Sequence, residues 1–205
     1  RPRTQGALLG AMGEGQVTID GETRMLNQPF LVLATQNPGE FEGTFPLPEA
    51  QLDRFLVEVS LGYPTPAEET LMLEALAGAH PITTIAQVVD GAQLPELQRA
   101  IWAIHVQDSL RDYIFRLATA TRTHPDLALG VSPRATFALF RAAQAAAALA
   151  GREFVLPDDI KALVRPVWQH RLMLRPESAL RGRTAEAVLG GVLAETTLDL
   201  GENEA

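Results

Sequence analysis

The 205-residue sequence contains no cysteine, and its only lysine is Lys161. Without cysteine the chain can form no disulfide bond and has no thiolate chemistry, which fits a reducing cytoplasm. The longest apolar run, residues 142–150, consists mostly of alanine and is far shorter than the roughly 20 residues of a membrane span. The formal net charge of −8 argues against a protein whose affinity for nucleic acid comes from neutralising phosphates. With 46% hydrophobic residues, the chain is expected to be soluble and globular, with one large domain or two small ones.

The four histidines, His80, His105, His124 and His170, are scattered singly along the chain. None lies at the spacing of a metal-binding motif such as HExxH. Ordinary surface or core roles are therefore expected for them, and no metal site is predicted in this chain.

The chain opens on Arg1 rather than on methionine, and the apolar residues Ala7, Leu8, Ala11 and Met12 follow at helical spacing. No secretory signal peptide is recognisable at this end. We therefore expect the chain to begin inside or at the edge of a structural element, as a piece of a longer protein would.

The first third of the chain has the pattern of an α/β fold. Val17 and Ile19 alternate ahead of an Asp-Gly turn signal, and a return strand through Thr23 and Met25 follows it, which predicts a β-hairpin within residues 13–26. Residues 30–35 are almost wholly apolar, the pattern of a strand covered on both faces in a parallel sheet. Residues 55–61 alternate like a second and less buried strand.

From Thr65 onward the periodicity is helical. Thr65 is a predicted N-cap, and Glu68 closes a capping box that starts a helix. Further helices are predicted around Leu110–Leu117, from Ser132 as N-cap to Gly151 as stop, around Asp158–Leu163 ending before Pro166, and over Thr184–Leu198. We predict two domains, an α/β part over residues 1–64 and a helical domain over residues 65–200, with a frayed tail at residues 201–205.

Asn37 follows the predicted strand 30–35, at the edge where α/β sheets bind ligands. Its amide could hold a water molecule or a phosphate oxygen there. An asparagine that caps the turn before Pro38 would explain the residue as well, and position alone favours that structural role.

Arg54 lies between a short helical stretch, PEAQLD, and the predicted strand that follows. An ion pair with Asp53, Glu49 or Glu58 would explain this arginine. Its position alone therefore does not indicate a function.

Arg134 falls in the first turn of the helix capped by Ser132, where the helix dipole favours acids over bases by roughly 0.3 to 1 kcal/mol. A bound anion would explain a cation at this place, because the free backbone N–H groups and the guanidinium would both point at it. A nearby carboxylate would explain it equally well, and the local pattern leaves both explanations open.

Several stretches occur in an order that closely resembles the MoxR family of AAA+ ATPases. They are EGQVTIDGET, VLATQNP, FPLPEAQLDRF, SLGYP, HPDLALGVSPRA and FVLPDDIKAL. The resemblance extends from about Thr4 to about Leu174, and a series of long ordered matches is far more specific than one short motif. It implies the C-terminal half of an AAA+ α/β domain, followed by a helical lid domain.

The resemblance assigns roles to the three polar residues. It puts the sensor 1 amide on Asn37, the arginine finger on Arg54 and the sensor 2 arginine on Arg134. Hydrolysis of a γ-phosphate needs a positioned water molecule and neutralisation of spreading charge. Asn37 is therefore expected to position the water, and Arg54 to reach the nucleotide of a neighbouring subunit. Arg134 is expected to contact the phosphate of ATP, within its own subunit or across the interface.

Cofactors and partners also follow from the resemblance. It implies ATP and Mg²⁺ as cofactors, a ring of identical subunits with six members, and a partner protein that has a von Willebrand factor A domain. It also implies chaperone-like remodelling or activation of other complexes in the cytoplasm, with no nucleic-acid partner.

Two motifs of such an ATPase are missing from the sequence. GxxxxGK[ST] does not occur, since Lys161 follows no glycine-rich loop, and no apolar strand ends in a pair of acids; in FVLPDD, Pro157 interrupts the pattern. The resemblance implies that the phosphate-binding loop and the Mg²⁺ ligands lie upstream of this chain. The chain alone is then expected to be inactive, and the intact protein is expected to hydrolyse ATP.

Two other interpretations stay open. In one, the chain is a non-hydrolysing interaction module that keeps the AAA+ shape. In the other, it is a DNA-handling AAA+ relative of the replicative helicases, which share the hairpin and the arginines. The acidic balance and the hairpin tip, Asp20-Gly21-Glu22, which carries no basic residue, count against the DNA-handling interpretation.

Overall fold

The computed structural model describes residues 11–13, 15–19, 21–36, 47–76 and 81–199. Asn37 and the predicted tail at 201–205 lie outside these described residues. Residues 11–13 are helical, which agrees with the helical spacing at the start of the sequence.

A β-hairpin follows these residues, as predicted. Strand β1 (Gln16–Ile19) pairs antiparallel with strand β2 (Glu22–Met25), and Ile19 lies opposite Glu22 at the turn. Gly21 has a φ of 83°, a left-handed conformation that favours glycine. The Asp-Gly signal in the sequence therefore marks a real turn.

The two strands predicted after the hairpin are not formed. Residues 30–35 and 55–61 have no assigned strand, and Leu31, Leu33 and Leu61 are 78%, 88% and 96% exposed. A strand needs a neighbouring strand to complete its hydrogen-bond ladder. Among the described residues no strand pairs with these two segments, so the prediction of a buried strand at 30–35 and of a second strand at 55–61 is wrong for this chain.

Helices make up most of the chain after the hairpin. They are α1 (Glu49–Leu52), α2 (Pro66–Leu76), α3 (Leu94–Trp102), α4 (Asp108–Thr123), α5 (Pro133–Leu149), α6 (Pro157–Trp168), α7 (Pro176–Leu180) and α8 (Ala185–Glu195). Short 3₁₀ helices occupy Pro81–Thr84, Gly91–Gln93 and Gln169–Arg171. None of the helices in the described residues is long and apolar enough to span a membrane.

The predicted helix starts are confirmed. The backbone N–H of Thr65 donates to the Glu68 carboxylate at 2.7 Å ahead of α2, and the hydroxyl of Ser132 accepts from the Ala135 N–H at 3.1 Å ahead of α5. Gly151 follows the end of α5 with a φ of 70°. These helix starts can be predicted from the sequence because each cap uses residues no more than three positions apart.

The hydrophobic core lies in the helical part, where α4, α5, α6 and α8 pack against one another. Its largest fully buried side chains include Tyr113, Leu117, Leu139, Ile160, Trp168 and Leu189. The indole N–H of Trp168 donates to the Ala135 carbonyl at 2.9 Å, so the polar atom of this buried side chain is satisfied. A short antiparallel pair, β3 (Leu127–Leu129) with β4 (Met173–Leu174), ties the end of α4 to the segment after α6.

Helix α6 continues through Pro166 to Trp168, so the prediction that it ends before the proline is wrong. A proline inside a helix removes one backbone hydrogen bond and crowds the preceding turn, at a cost of about 3 kcal/mol. Val167 and Trp168 are both fully buried, and burying a large apolar side chain contributes about 1.5 to 3 kcal/mol. Packing of the last helical turn therefore offsets the cost of the proline.

Candidate functional site

Arg134 is the second residue of α5, directly after Pro133, and its side chain is exposed. The first turn of α5 contains no acidic residue. Within the described residues Arg134 forms no hydrogen bond or ion pair. Local sequence therefore leaves a cation at the positive end of a helix, an arrangement that the helix dipole disfavours.

The tertiary structure supplies the missing acid from elsewhere in the chain. The hydroxyl of Ser132, the N-cap of α5, donates to the carboxylate of Asp53, with Oγ at 2.9 Å from Oδ1 and 3.0 Å from Oδ2. The same hydroxyl accepts the Ala135 N–H. Asp53 thus acts as the acid at the start of α5, although it lies 79 residues earlier in the sequence. It compensates the helix dipole without pairing with Arg134.

The loop that leads into α5 is held against α4. The N–H of Val131 donates to the Thr121 hydroxyl at 3.2 Å, and Nε of Arg122 donates to the Val131 carbonyl at 2.9 Å. Gly130 lies so close to the backbone of Arg122 that an added Cβ would come within 2.6 Å of it. This contact explains the glycine of the LGVSPR stretch and fixes the place from which Arg134 projects.

Arg54 lies in the turn that follows α1, where its N–H donates to the Gln51 carbonyl at 3.1 Å. The residue is half-buried, and its guanidinium lies directly against Gly13, where an added Cβ would clash with it. Asp53 and Glu58, two of the acids that could pair with Arg54 by their place in the sequence, contact other residues. Asp53 binds Ser132, and Glu58 faces His170, with 3.9 Å between Oε2 and Nδ1.

A third arginine, Arg171, holds the segment that follows Arg54. Its side chain is only 2% exposed, and its guanidinium donates to the carbonyls of Phe55 and Leu56. Nε of Arg171 lies 3.8 Å from Oδ1 of Asp53. Sequence reasoning missed this residue, because a basic pair after a helix is usually exposed and an arginine is seldom buried without partners.

His170, the neighbour of Arg171, contacts the same segment. Its Nε2 atom lies 3.2 Å from the Phe55 carbonyl and 3.1 Å from Nε of Arg171. The backbone continues the attachment, since the N–H of Glu58 donates to the Pro166 carbonyl at 2.8 Å. The segment from residue 53 to residue 58 is therefore fastened to the end of α6 and to the start of α5.

Burial determines the electrostatics of this contact. Burial lowers the pKa of the Arg171 guanidinium. The carboxylate of Asp53 acts in the opposite direction and raises this pKa, whereas the positive charge of Arg134 lowers it further. Burial also lowers the pKa of the His170 imidazole below its ordinary value of 6.5. A neutral histidine beside a buried arginine avoids placing two positive charges together.

The structure thus brings the elements that carry Arg54 and Arg134 together through Asp53 and Ser132, while Asn37 lies outside the described residues. The exposed guanidinium of Arg134 at a helix N-terminus fits a phosphate group, because it can add charge-assisted hydrogen bonds to those of free backbone N–H groups.

Among the described residues no cluster of three or more histidine, aspartate or glutamate side chains has the geometry of a metal site.

Two family models match parts of this chain. The family described as "ATPase family associated with various cellular activities (AAA)" matches residues 1–57, and the family described as "AAA lid domain" matches residues 119–190. The chain is 48% identical over 193 residues to "Uncharacterized protein YeaC" of Bacillus subtilis, covering 94% of this chain and 60% of that protein. It is 37% identical over 205 residues to "Chaperone MoxR1" of Mycobacterium tuberculosis, covering 96% and 54%.

A solved structure is similar over nearly the whole chain. The crystal structure of a candidate ATPase from Cytophaga hutchinsonii superposes with a TM-score of 0.90 at 34% identity, and covers 97% of this chain and 63% of that one. The chain therefore spans between about half and two thirds of the length of the relatives that it matches.

The fold and the matches define the class of this protein as that of the AAA+ ATPases, and the chain corresponds to an α/β part followed by a helical lid. Within that class, the chain belongs to the MoxR family. The family assignment predicted from the order of the sequence motifs is confirmed.

Proposed function

We propose that this chain is the part of a MoxR-type AAA+ ATPase that senses the nucleotide and completes the active site of a neighbouring subunit. The observation that carries the proposal is the position of Arg134. Its helix start is already compensated by Asp53 through Ser132, so the exposed guanidinium is available for an anion. In this role Arg134 is the sensor 2 residue and binds a phosphate oxygen of ATP.

Arg54 is proposed as the arginine finger. It lies in a turn whose neighbours are fastened on one side to α5 and on the other to the end of α6. A finger supplied to a neighbouring subunit neutralises the charge that spreads over the transferred phosphoryl group, and is worth on the order of 10³ to 10⁵ in rate. A turn held by buried contacts can place such a side chain repeatedly in one position.

Asn37 completes the proposed set as the sensor 1 residue that orients the attacking water. Its role rests on the family resemblance, because it lies outside the described residues. ATP with Mg²⁺ supplies the phosphoryl group and its counter-charge when bound. The 205 residues contain no GxxxxGK[ST] sequence, and we propose that the whole protein provides the phosphate-binding loop and the Mg²⁺ ligands outside this chain.

The biological role is proposed at the level of the family. A relative named "Chaperone MoxR1" supports a chaperone-like remodelling or activation of partner complexes. A six-membered ring, a partner with a von Willebrand factor A domain and a cytoplasmic location remain proposals that rest on the resemblance. The domain boundary near residue 64 is likewise a proposal, with residues 65–200 as the lid.

The test is made on the arginine finger in the whole protein. Arg54→Ala is expected to leave ATP binding nearly unchanged and to abolish hydrolysis. When the variant is mixed with subunits that carry a defective phosphate-binding loop, activity should return, because the mixed interfaces join an intact finger to an intact loop. Arg111→Ala is the matched control, since Arg111 lies on the lid surface in an ion pair with Asp108 at 2.8 Å and is 55% exposed.

Two outcomes contradict the proposal. If mixed rings form and none recovers activity, Arg54 has a structural role within its own subunit. If the unsubstituted whole protein binds partner complexes but hydrolyses no ATP, the chain belongs to a non-hydrolysing interaction module, which is the alternative function.

A further inference from the structure

We infer that Arg171 is a positioning residue for the arginine finger: it holds the turn that carries Arg54 and couples that turn to the lid. This inference rests on the proposed function, because it assigns the means by which Arg54 is aimed. Arg171 belongs to the lid and touches neither nucleotide nor reacting atoms in this assignment.

The first step is the contact between Arg171 and the turn. The guanidinium of Arg171 donates to the carbonyls of Phe55 and Leu56, the two residues that follow Arg54. It thereby holds the backbone directly after the proposed finger. A guanidinium suits the task because it presents several donors in a rigid fork.

The second step is burial. The Arg171 side chain is 2% exposed and the His170 side chain is 4% exposed, so the contact is shielded from water. A buried arginine is costly unless it is paired and hydrogen-bonded. Its guanidinium atom Nη1 has no hydrogen-bond partner within the described residues, so the bonds to Phe55 and Leu56 and the nearby carboxylate of Asp53 are what offset its burial.

The third step is the link to sensor 2. Asp53 precedes Arg54 in the chain, and its carboxylate lies 3.8 Å from Nε of Arg171 while it accepts from the hydroxyl of Ser132. Ser132 caps the helix that carries Arg134. The turn with the proposed finger is thus bound to the same helix start as the proposed sensor, so a movement of α5 is transmitted to the turn.

The experiment uses Arg171→Met and Arg171→Lys in the whole protein. Arg171→Met keeps much of the side-chain volume and removes the hydrogen-bond donors. We expect kcat for ATP hydrolysis to fall on the order of 10²-fold, because a small misplacement of a reacting group has an effect of this size. KM for ATP should stay within about twofold, because ground-state binding is not touched. Arg171→Lys should recover part of the rate, since it restores the charge and single donors without the fork.

Recovery of ATP hydrolysis in mixed rings distinguishes a misplaced finger from a general loss of stability. Subunits with Arg171→Met retain their own phosphate-binding loop and offer a misplaced finger. Mixing them with subunits that carry a defective loop and an intact finger should restore hydrolysis, as for Arg54→Ala. Arg165→Met is the matched control, because Arg165 lies near the end of α6, is 60% exposed and pairs with Glu186 at 2.7 Å; its kcat should be unchanged.

Hydrogen exchange adds a direct test of the attachment. The Glu58 N–H is bonded across to the Pro166 carbonyl, so its exchange should accelerate in Arg171→Met and not in Arg165→Met. If Arg171→Met fails to assemble, Asp53→Asn provides the second variant. It keeps an acceptor for Ser132 and removes the charge beside Arg171, and it should show a smaller loss of kcat with the same recovery on mixing.

The outcomes distinguish the inference from the function on which it rests. If Arg54→Ala abolishes hydrolysis and Arg171→Met leaves kcat unchanged, the inference fails while the proposed function stands. A loss of kcat that mixing does not restore, although rings form, also overturns it. If Arg54→Ala keeps full activity, both are overturned.

Discussion

The hydroxyl of Ser132 donates to the carboxylate of Asp53, with Oγ at 2.9 Å and 3.0 Å from the two oxygens. This bond joins the turn that carries Arg54 to the helix that carries Arg134. It also explains a helix whose first turn contains a cation and no acid, since the acid arrives through tertiary structure. One hydrogen bond therefore serves both the stability of the lid and the spatial relation of two proposed functional residues.

Removing this acid is expected to destabilise the 205-residue chain. Asp53→Ala deletes a charge-assisted bond to Ser132 and leaves the buried guanidinium of Arg171 without its carboxylate. The expected loss in unfolding free energy is about 2 to 4 kcal/mol. Denaturant unfolding checks this against Asp108→Ala, where a 91% exposed acid should cost no more than about 1 kcal/mol. Equal effects of the two substitutions would contradict the role given to Asp53.

Arg134→Ala should leave the stability of the same chain unchanged or raise it by a few tenths of a kcal/mol, because the helix dipole disfavours a cation at this position. Arg152→Ala provides the contrast, since Arg152 makes bonds of 2.6 and 2.8 Å to Asp159 and its loss should cost about 1.5 to 3 kcal/mol. Thermal unfolding of both variants is the measurement. A large loss of stability in Arg134→Ala would show that the arginine is a structural partner and not a free phosphate ligand.

Mild acid should destabilise the chain through His170. Burial lowers the pKa of this imidazole below 6.5, so the unfolded chain takes up a proton at a higher pH than the folded chain. The stability contribution is full above pH 6.5 and is lost as the pH falls through the folded-state pKa. Unfolding free energies measured between about pH 5 and 8 should decline less steeply in His170→Gln than in the unsubstituted chain.

Between about pH 5 and 8 the change in stability caused by His170 can be distinguished from the changes caused by carboxyl groups. The pKa of the Asp126 carboxyl is lowered by the Ser178 hydroxyl, and that of Asp159 by Arg152, both below 3.8. Their contributions are therefore lost only in stronger acid. If the unfolding free energies of the unsubstituted chain and of His170→Gln change in parallel with pH, His170 does not control the loss of stability in mild acid.

The 205-residue chain by itself should hydrolyse no ATP above the blank. Turnover needs a loop whose backbone N–H groups hold the α- and β-phosphates and a lysine that reaches them, and the sequence contains no such loop. Phosphate release from the purified chain is the measurement, with Arg54→Ala and Arg134→Ala run beside it. Turnover that both substitutions reduce would mean that the chain contains a phosphate site of its own.

The helix starts and the hairpin were predictable from sequence, whereas the strands were not. Thr65 and Ser132 cap their helices with groups three residues away, and such signals act before any tertiary contact forms. The apolar segment at 30–35 had the composition of a strand, but a ladder depends on a neighbour that composition does not supply. The prediction of a helix end before Pro166 was wrong for a related reason, since the burial of Val167 and Trp168 outweighs the local effect of the proline.

The sequence by itself determined the family, through the order of several long stretches, and it determined the helix caps and the hairpin turn, because each cap or turn depends on residues that are near neighbours in the chain. Only the tertiary structure decided that Asp53 binds Ser132 across 79 residues and that Arg171 is buried against the carbonyl of Phe55. Both contacts join segments that carry no mutual signal in the sequence. They form because packing of the lid core brings the start of α5 and the end of α6 together, and buried polar groups then have to find partners.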